Sequence, residues 1–312
     1  ATGDIDVQTN ITIAGAGMAS TIISGGGIDR PIEVDGSGNL TLADVRLTGG
    51  SVNNDGGGLL VEEAGGTATL TRVDITGNTI TGGGRIGGGI HNVGTLVMTD
   101  SLVHGNTATG SDGGGISNLG TAALTRSSIF SNSARYGGGI HQLAGAMTIE
   151  NVTVSSNTAS SEGGGIDVVA GSLTVRFSTI AANTASGGNG GGAIVRGGTL
   201  TIGSSIFADN NSASGGRDLH GTVTSLGYNV IEHNAGFTGT VATDQLGADP
   251  ALAALALHAA SGQYVHALNS GSIAIDVGGA APPATARIKG SVTVRQSPTG
   301  RAPRTRPLSP TR

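Results

Sequence analysis

A histidine, a serine, a second histidine and an aspartate recur at one position of a repeated motif. His91 stands in GGGIHN, Ser117 in GGGISN, His141 in GGGIHQ and Asp167 in GGGIDV. A hydroxyl, an imidazole and a carboxylate in that order form a set for hydrolysis. Ser117 would be the nucleophile, His141 the base and Asp167 the group that orients the base. His91 flanks Ser117 on the other side and would compete for the same hydroxyl. Stacked in register, equivalent residues lie about 4.8 Å apart at the backbone, within side-chain reach of one another. Alternation turns Ile90, Ile116, Ile140 and Ile166 inward, so the column faces outward and is expected to meet water. No set of oxyanion donors can be read from the sequence.

A second set precedes the glycines: Asp55, Asp112 and Glu162. A column of turn carboxylates could hold calcium through hard oxygen ligands. Ile86, Tyr136 and Asn189 occupy the intervening units, which spaces the acids apart. No other cofactor is expected. The sole lysine is Lys289, so there is no phosphate-binding loop, and GAGMAS lacks the third glycine of a dinucleotide fingerprint. Cysteine is absent, which removes thiol chemistry, disulfides and thiolate metal sites.

These residues need a scaffold that repeats them in register. The glycine triplets begin at Gly56, Gly87, Gly113, Gly137, Gly163 and Gly190, and an asparagine follows each: Asn78, Asn106, Asn132, Asn157, Asn183 and Asn210. The near-constant spacing marks a solenoid. Within each unit apolar residues alternate with polar ones, the period of a strand. Ile75, Val103, Ile129, Val154, Ile180 and Phe207 stand three residues before the asparagines. Leu70, Met98, Leu124, Ile149, Val175 and Ile202 stand eight before. With the Gly-Gly-Gly-Ile stretch these give three short strands per coil of a parallel β-helix. Frequent glycine and the lack of 3.6-residue periodicity exclude a helical repeat. Glycine suits corners that need positive φ. The asparagines are expected at a bend, in the left-handed region, with their amides stacked as a ladder.

Composition narrows the function. Of the 312 residues 58 are glycine and 2% are aromatic, so stacking platforms for sugars or bases are scarce. The first 276 residues hold nine basic against 21 acidic residues, while the remaining segment has seven basic residues and no acid. An acidic body with an unpatterned basic tail is unsuited to nucleic acid, which calls for a basic groove or face. No apolar run reaches the ~18 residues of a transmembrane helix. The β-helix is expected over residues 1–278, with regular coils at about 51–212 and degenerate capping coils either side. Residues 279–312 are expected to form a poorly structured, proline-containing basic tail.

The GGGI…N-T-A units resemble the right-handed parallel β-helix repeats of polymorphic outer-membrane proteins and of bacterial choice-of-anchor surface proteins. The opening ITIAGAGMASTIISGGG is similar to the start of the second group. GYNVIEHNAGFTGTVATDQLGADPAL and HALNSGSIAIDVG are similar to its closing block. The resemblance covers roughly Ile5 to Gly278. It implies an all-β, single-stranded right-handed parallel β-helix of the pectin-lyase-like type, exported to the bacterial surface or beyond, usually without a defined activity. The expected role is a non-catalytic adhesion or carbohydrate-contact module. Its partner would be a surface polysaccharide or another cell-surface protein. The alternative is a polysaccharide lyase or other hydrolase acting on the outer face. Lyases of this architecture use clustered acidic calcium ligands beside an Arg or Lys base, whereas Arg126, Arg176, Arg196 and Arg217 are scattered over different coil positions.

Overall fold

The computed structural model describes residues 3–275, and all regular structure among them is strand. One face, sheet 1, stacks nine parallel strands: Ile5–Val7, Ile32–Val34, Leu59–Val61, Ile90–Asn92, Ile116–Asn118, Ile140–Gln142, Ile166–Val168, Ala193–Val195 and Leu219–Ser225. Sheet 2 is longer and bent. Its upper strands run unbroken through the bend, as in Asn39–Thr48 and Thr67–Thr76. Its lower ones divide there, as in Thr95–Thr99 and Leu102–His104. Sheet 3 is the narrow side, from Ser51–Val52 through Ser133–Tyr136 to Asn211–Ser212. Three strand segments per coil, each paired with its counterpart one coil away, make a single-stranded parallel β-helix.

Alternation builds the core as expected. Ile90, Ile116, Ile140 and Ile166 from sheet 1 meet Met98, Leu124, Ile149 and Val175 from sheet 2, all fully buried. Burying such a side chain contributes roughly 1.5–3 kcal/mol, so a core this thin gains its stability from being continuous along the rod.

The bends depart from the sequence reading. The asparagines do not take the left-handed conformation. The residue before each does: Gly77, Gly105, Ser131, Ser156, Ala182 and Asp209, with φ between 55° and 66°. A second left-handed column kinks sheet 2 at Asp44, Arg72, Asp100, Arg126, Asn151, Phe177 and Ser204, with φ between 45° and 57°. None of these is glycine. The conformation costs each roughly 1–2 kcal/mol and persists because the paired coils above and below impose it. Two ion pairs decorate this kink, Arg72 with Asp44 and Arg126 with Asp100.

The expected range of coils, 1–278, is also too long. Parallel pairing ends at Gln245–Leu246. The chain then turns back as an antiparallel hairpin, in which Ala256–His258 pairs with Gln263–Val265 and Leu252 bridges Leu268. The hairpin lies along the outer face of sheet 2, whose outward residues Ile206, Ala208 and Val230 offer it an apolar strip. The basic tail, 279–312, lies outside the described residues.

Candidate functional site

Sheet 1 brings the expected column together. His91 pairs in register with Ser117, Ser117 with His141, and His141 with Asp167. The column continues to Leu60 above and Ile194 below.

The expectation that it meets water is wrong. Ser117 and Asp167 are fully buried, and His91 and His141 are 4% and 3% exposed. The side chains do point away from the core. They are roofed by the corner that precedes them. The first glycine of each triplet has φ between 60° and 81°, and this folds the backbone back over the residue four positions on. A methyl group on Gly137 would lie 2.8 Å from the His141 Cβ, and one on Gly163 would lie 2.7 Å from the Asp167 Cβ. Only a residue without a Cβ allows so close an approach. Arg196 extends the roof. It forms a bidentate contact with Asp167, and its guanidinium sits 4.2 Å above the Tyr136 ring.

The chemistry under this roof is incomplete. His141 Nδ1 lies 3.0 Å from Asp167 Oδ2 but makes no hydrogen bond. Ser117 Oγ has no hydrogen-bond partner, and neither has His91 Nδ1. His141 and Asp167 are brought within reach without a hydrogen bond, and Ser117 and His141 are not joined at all. Burial lowers the His91 imidazole to about 4, so it is neutral at physiological pH. Burial alone would raise Asp167, but the contacts from His141 and Arg196 outweigh it and hold the carboxyl below its ordinary value.

Asp55, Asp112 and Glu162 fall in the stack the spacing implied, with Ile86 between the first two and Tyr136 between the last two. Successive acids are thus two coils apart, about 9–10 Å, too far to share one cation. Asp55 Oδ1 accepts the Ile86 N–H at 2.9 Å. Asp112 takes both arms of Arg135 at 3.0 and 3.1 Å. Glu162 accepts from Asn189 Nδ2 at 3.1 Å.

Two acidic groups escaped the sequence reading because their members are distant in the chain: Asp4, Asp6 and Glu33, and Asp218, Glu232 and His233. The chain supplies its own cation or proton to each. Arg30 contacts Glu33 and stands 3.8 Å from Asp4. His233 Nδ1 lies 3.2 Å from Asp218 Oδ2, with Arg217 Nη1 3.4 Å from its Nε2. Another site missed is the outer-face trio on sheet 2. Asp74 Oδ2 accepts from Arg46 Nε at 2.8 Å, and Asp74 Oδ1 lies 3.0 Å from His104 Nε2. The scattered arginines do not converge: Arg126 serves Asp100, Arg196 serves Asp167, and Arg217 stands by His233.

A family model agrees with the coil architecture. Residues 30–180 match a family model described as right handed beta helix region. The crystal structure of pectate lyase Pel9A is a similar solved structure at 14% sequence identity, the likeness covering 93% of this chain and 84% of that one with a TM-score of 0.42. No curated protein matches the chain.

Proposed function

We propose that the protein is a non-catalytic rod of the bacterial cell surface or extracellular space, working by contact with a surface polysaccharide or another cell-surface protein. The observation that carries this reading is the roof over the sheet 1 column. It keeps Ser117, His141 and Asp167 from any substrate and leaves the Ser117 hydroxyl without a base. What the rod does offer is an uncharged outer strip. On sheet 2, Thr12, Thr41, Thr69, Val97, Ala123, Thr148, Thr174, Thr201 and Thr224 stack in one outward column. Along its first five coils neither this column nor its neighbours on either side carry a charge. A hydroxyl-bearing, uncharged strip suits a neutral polymer better than a polyanion, and the acidic body disfavours nucleic acid. Among the described residues no helix is long and apolar enough to cross a membrane.

One observation favours hydrolysis as a second reading: the 3.0 Å approach of His141 to Asp167. A glycan array beside a panel of polysaccharide, ester and glycoside substrates separates the two. Binding without turnover is the expected result. Turnover abolished by both Ser117→Ala and His141→Ala would replace the contact reading with the hydrolytic one.

A further inference from the structure

The hairpin on the flank of sheet 2 is fastened at three levels. At its root Leu252, Leu268, Ile273 and Ala274 pack on Ile206, Ala208 and Val230. Near its tip the Tyr264 N–H donates to Ser128 Oγ at 3.1 Å, and the Tyr264 ring stands 4.5 Å from that of Phe130. Between them His266, 6% exposed, bridges hairpin and coil. Its Nδ1 is 2.7 Å from the Ala253 carbonyl, a pure acceptor, so Nδ1 carries the proton. Its Nε2 is 2.8 Å from Ser155 Oγ and accepts that hydroxyl's hydrogen. Both bonds are therefore made by a neutral ring. A second proton on Nε2 would face the Ser155 oxygen and force the hydroxyl to turn toward Ser156 Oγ, 3.2 Å away.

The surroundings give a charged ring little help. The coil presents Asp209 toward His266, while Ser155 and Ser156 bring only hydroxyls. Burial raises the Asp209 carboxyl, and repulsion from Glu232 and then from Asp249 at the hairpin root adds to it, so it gives up charge early in acid. His233 is a second imidazole close enough to act on Asp209. Burial lowers the His266 imidazole from its ordinary 6.5 against the pull of the Ala253 carbonyl and Asp209.

We propose that His266 is a proton-operated latch: protonating its ring releases the 251–269 hairpin from the flank of the rod and uncovers the strip of Phe130, Ser155, Ile206, Ala208 and Val230 beneath. The sign follows from linkage. The docked state holds the proton less well than the free hairpin. The latch is at full strength above 6.5 and weakens as pH falls toward the lower docked value.

Hydrogen exchange on the full chain, corrected for the intrinsic pH dependence, tests this. The reporter is the Tyr264 amide, which donates to Ser128 Oγ from hairpin to coil. Opening should rise by up to about tenfold per pH unit below 6.5, while the Asn132 amide in the coils should respond identically in wild type and His266→Gln. His266→Gln keeps one donor and one acceptor but cannot titrate, and its profile should be flat. Ser155→Ala should open the hairpin more at every pH yet keep the slope, which covers the case in which the glutamine variant merely undocks. A flat profile in wild type or in Ser155→Ala, or the wild-type slope persisting in His266→Gln, would overturn the latch.

Discussion

At the bend between sheets 2 and 3, six asparagine side chains lie one above another. On sheet 1, His91, Ser117, His141 and Asp167 do the same. Both columns are buried and in register, yet they fare differently. The Nδ2 atoms of Asn78, Asn106, Asn132, Asn157 and Asn183 each donate to the next Oδ1 at 3.0 Å. The same Oδ1 accepts the backbone N–H of the asparagine before it, and the second Nδ2 proton reaches a carbonyl of the coil before, as from Asn132 to Val103. An amide carries two donors and two acceptor sites, so a column of identical amides satisfies itself. An imidazole, a hydroxyl and a carboxylate do not match in donors and acceptors, and the sheet 1 column is left with orphans at His91, Ser117 and His141. Repetition pays only when the repeated group is its own complement. A shorter amide run, Asn92 to Asn118 to Gln142, links in the same way at 2.7 and 3.0 Å, with Asn92 Oδ1 at its head left unpaired.

The largest expected effect falls on the glycine that lets the ladder pass. A Cβ at Gly139 would lie 2.7 Å from the Gly165 carbonyl oxygen and 2.9 Å from Asn157 Nδ2. Gly139→Ala should cost more than about 3 kcal/mol, beyond the ordinary range of single substitutions; a melting temperature within a few degrees of wild type would show that the coils can separate.

Acid should act next, through His91. Its folded value of about 4 lies below the ordinary 6.5, so its contribution is complete above 6.5 and lost as pH falls toward 4. Each unit of separation is about 1.4 kcal/mol. Denaturant titrations at pH 7 and 4.5 should show His91→Leu losing much less stability than wild type, and an equal loss in both would place the acid sensitivity elsewhere. Asn157→Ala should cost roughly 1–3 kcal/mol by leaving the Asn132 amide and backbone N–H unpaired; a loss under half a kcal/mol would mean that the ladder follows the fold without supporting it. Ser117→Ala should change stability by less than about half a kcal/mol, with a gain as the natural direction, since it deletes a hydroxyl that bonds to nothing. A loss of more than 1 kcal/mol would reveal a partner for that hydroxyl and narrow the contrast between the columns.

The sequence disclosed whatever repeats. Three strands per coil, the inward isoleucines and the register of Ser117 with His141 all follow from spacing. Spacing could not disclose the roof. Alternation says only that His141 points away from Ile140, and whether the preceding corner lies across it depends on the φ of Gly137. Nor could it place the left-handed column at Arg72, Phe177 and Ser204, residue types with nothing in common. Nor could spacing mark where the coils give way to the closing hairpin, because an apolar pattern does not tell parallel from antiparallel pairing.

The ladder also gives the rod an electrical direction. Every amide in it points the same way, N–H toward the later coil, so the small dipoles add head to tail and polarise one another. Asn210 completes the series by donating to Asp218 Oδ1 at 2.8 Å, and that carboxylate is fully buried. Asp218 stands where the earlier coils place the third glycine of the triplet. A negative group therefore sits against the positive end of a chain of aligned dipoles, the arrangement that favours carboxylates at the first turn of a helix. An all-β solenoid thereby acquires an axial polarity with a matched counter-charge, assembled from side chains instead of peptide bonds.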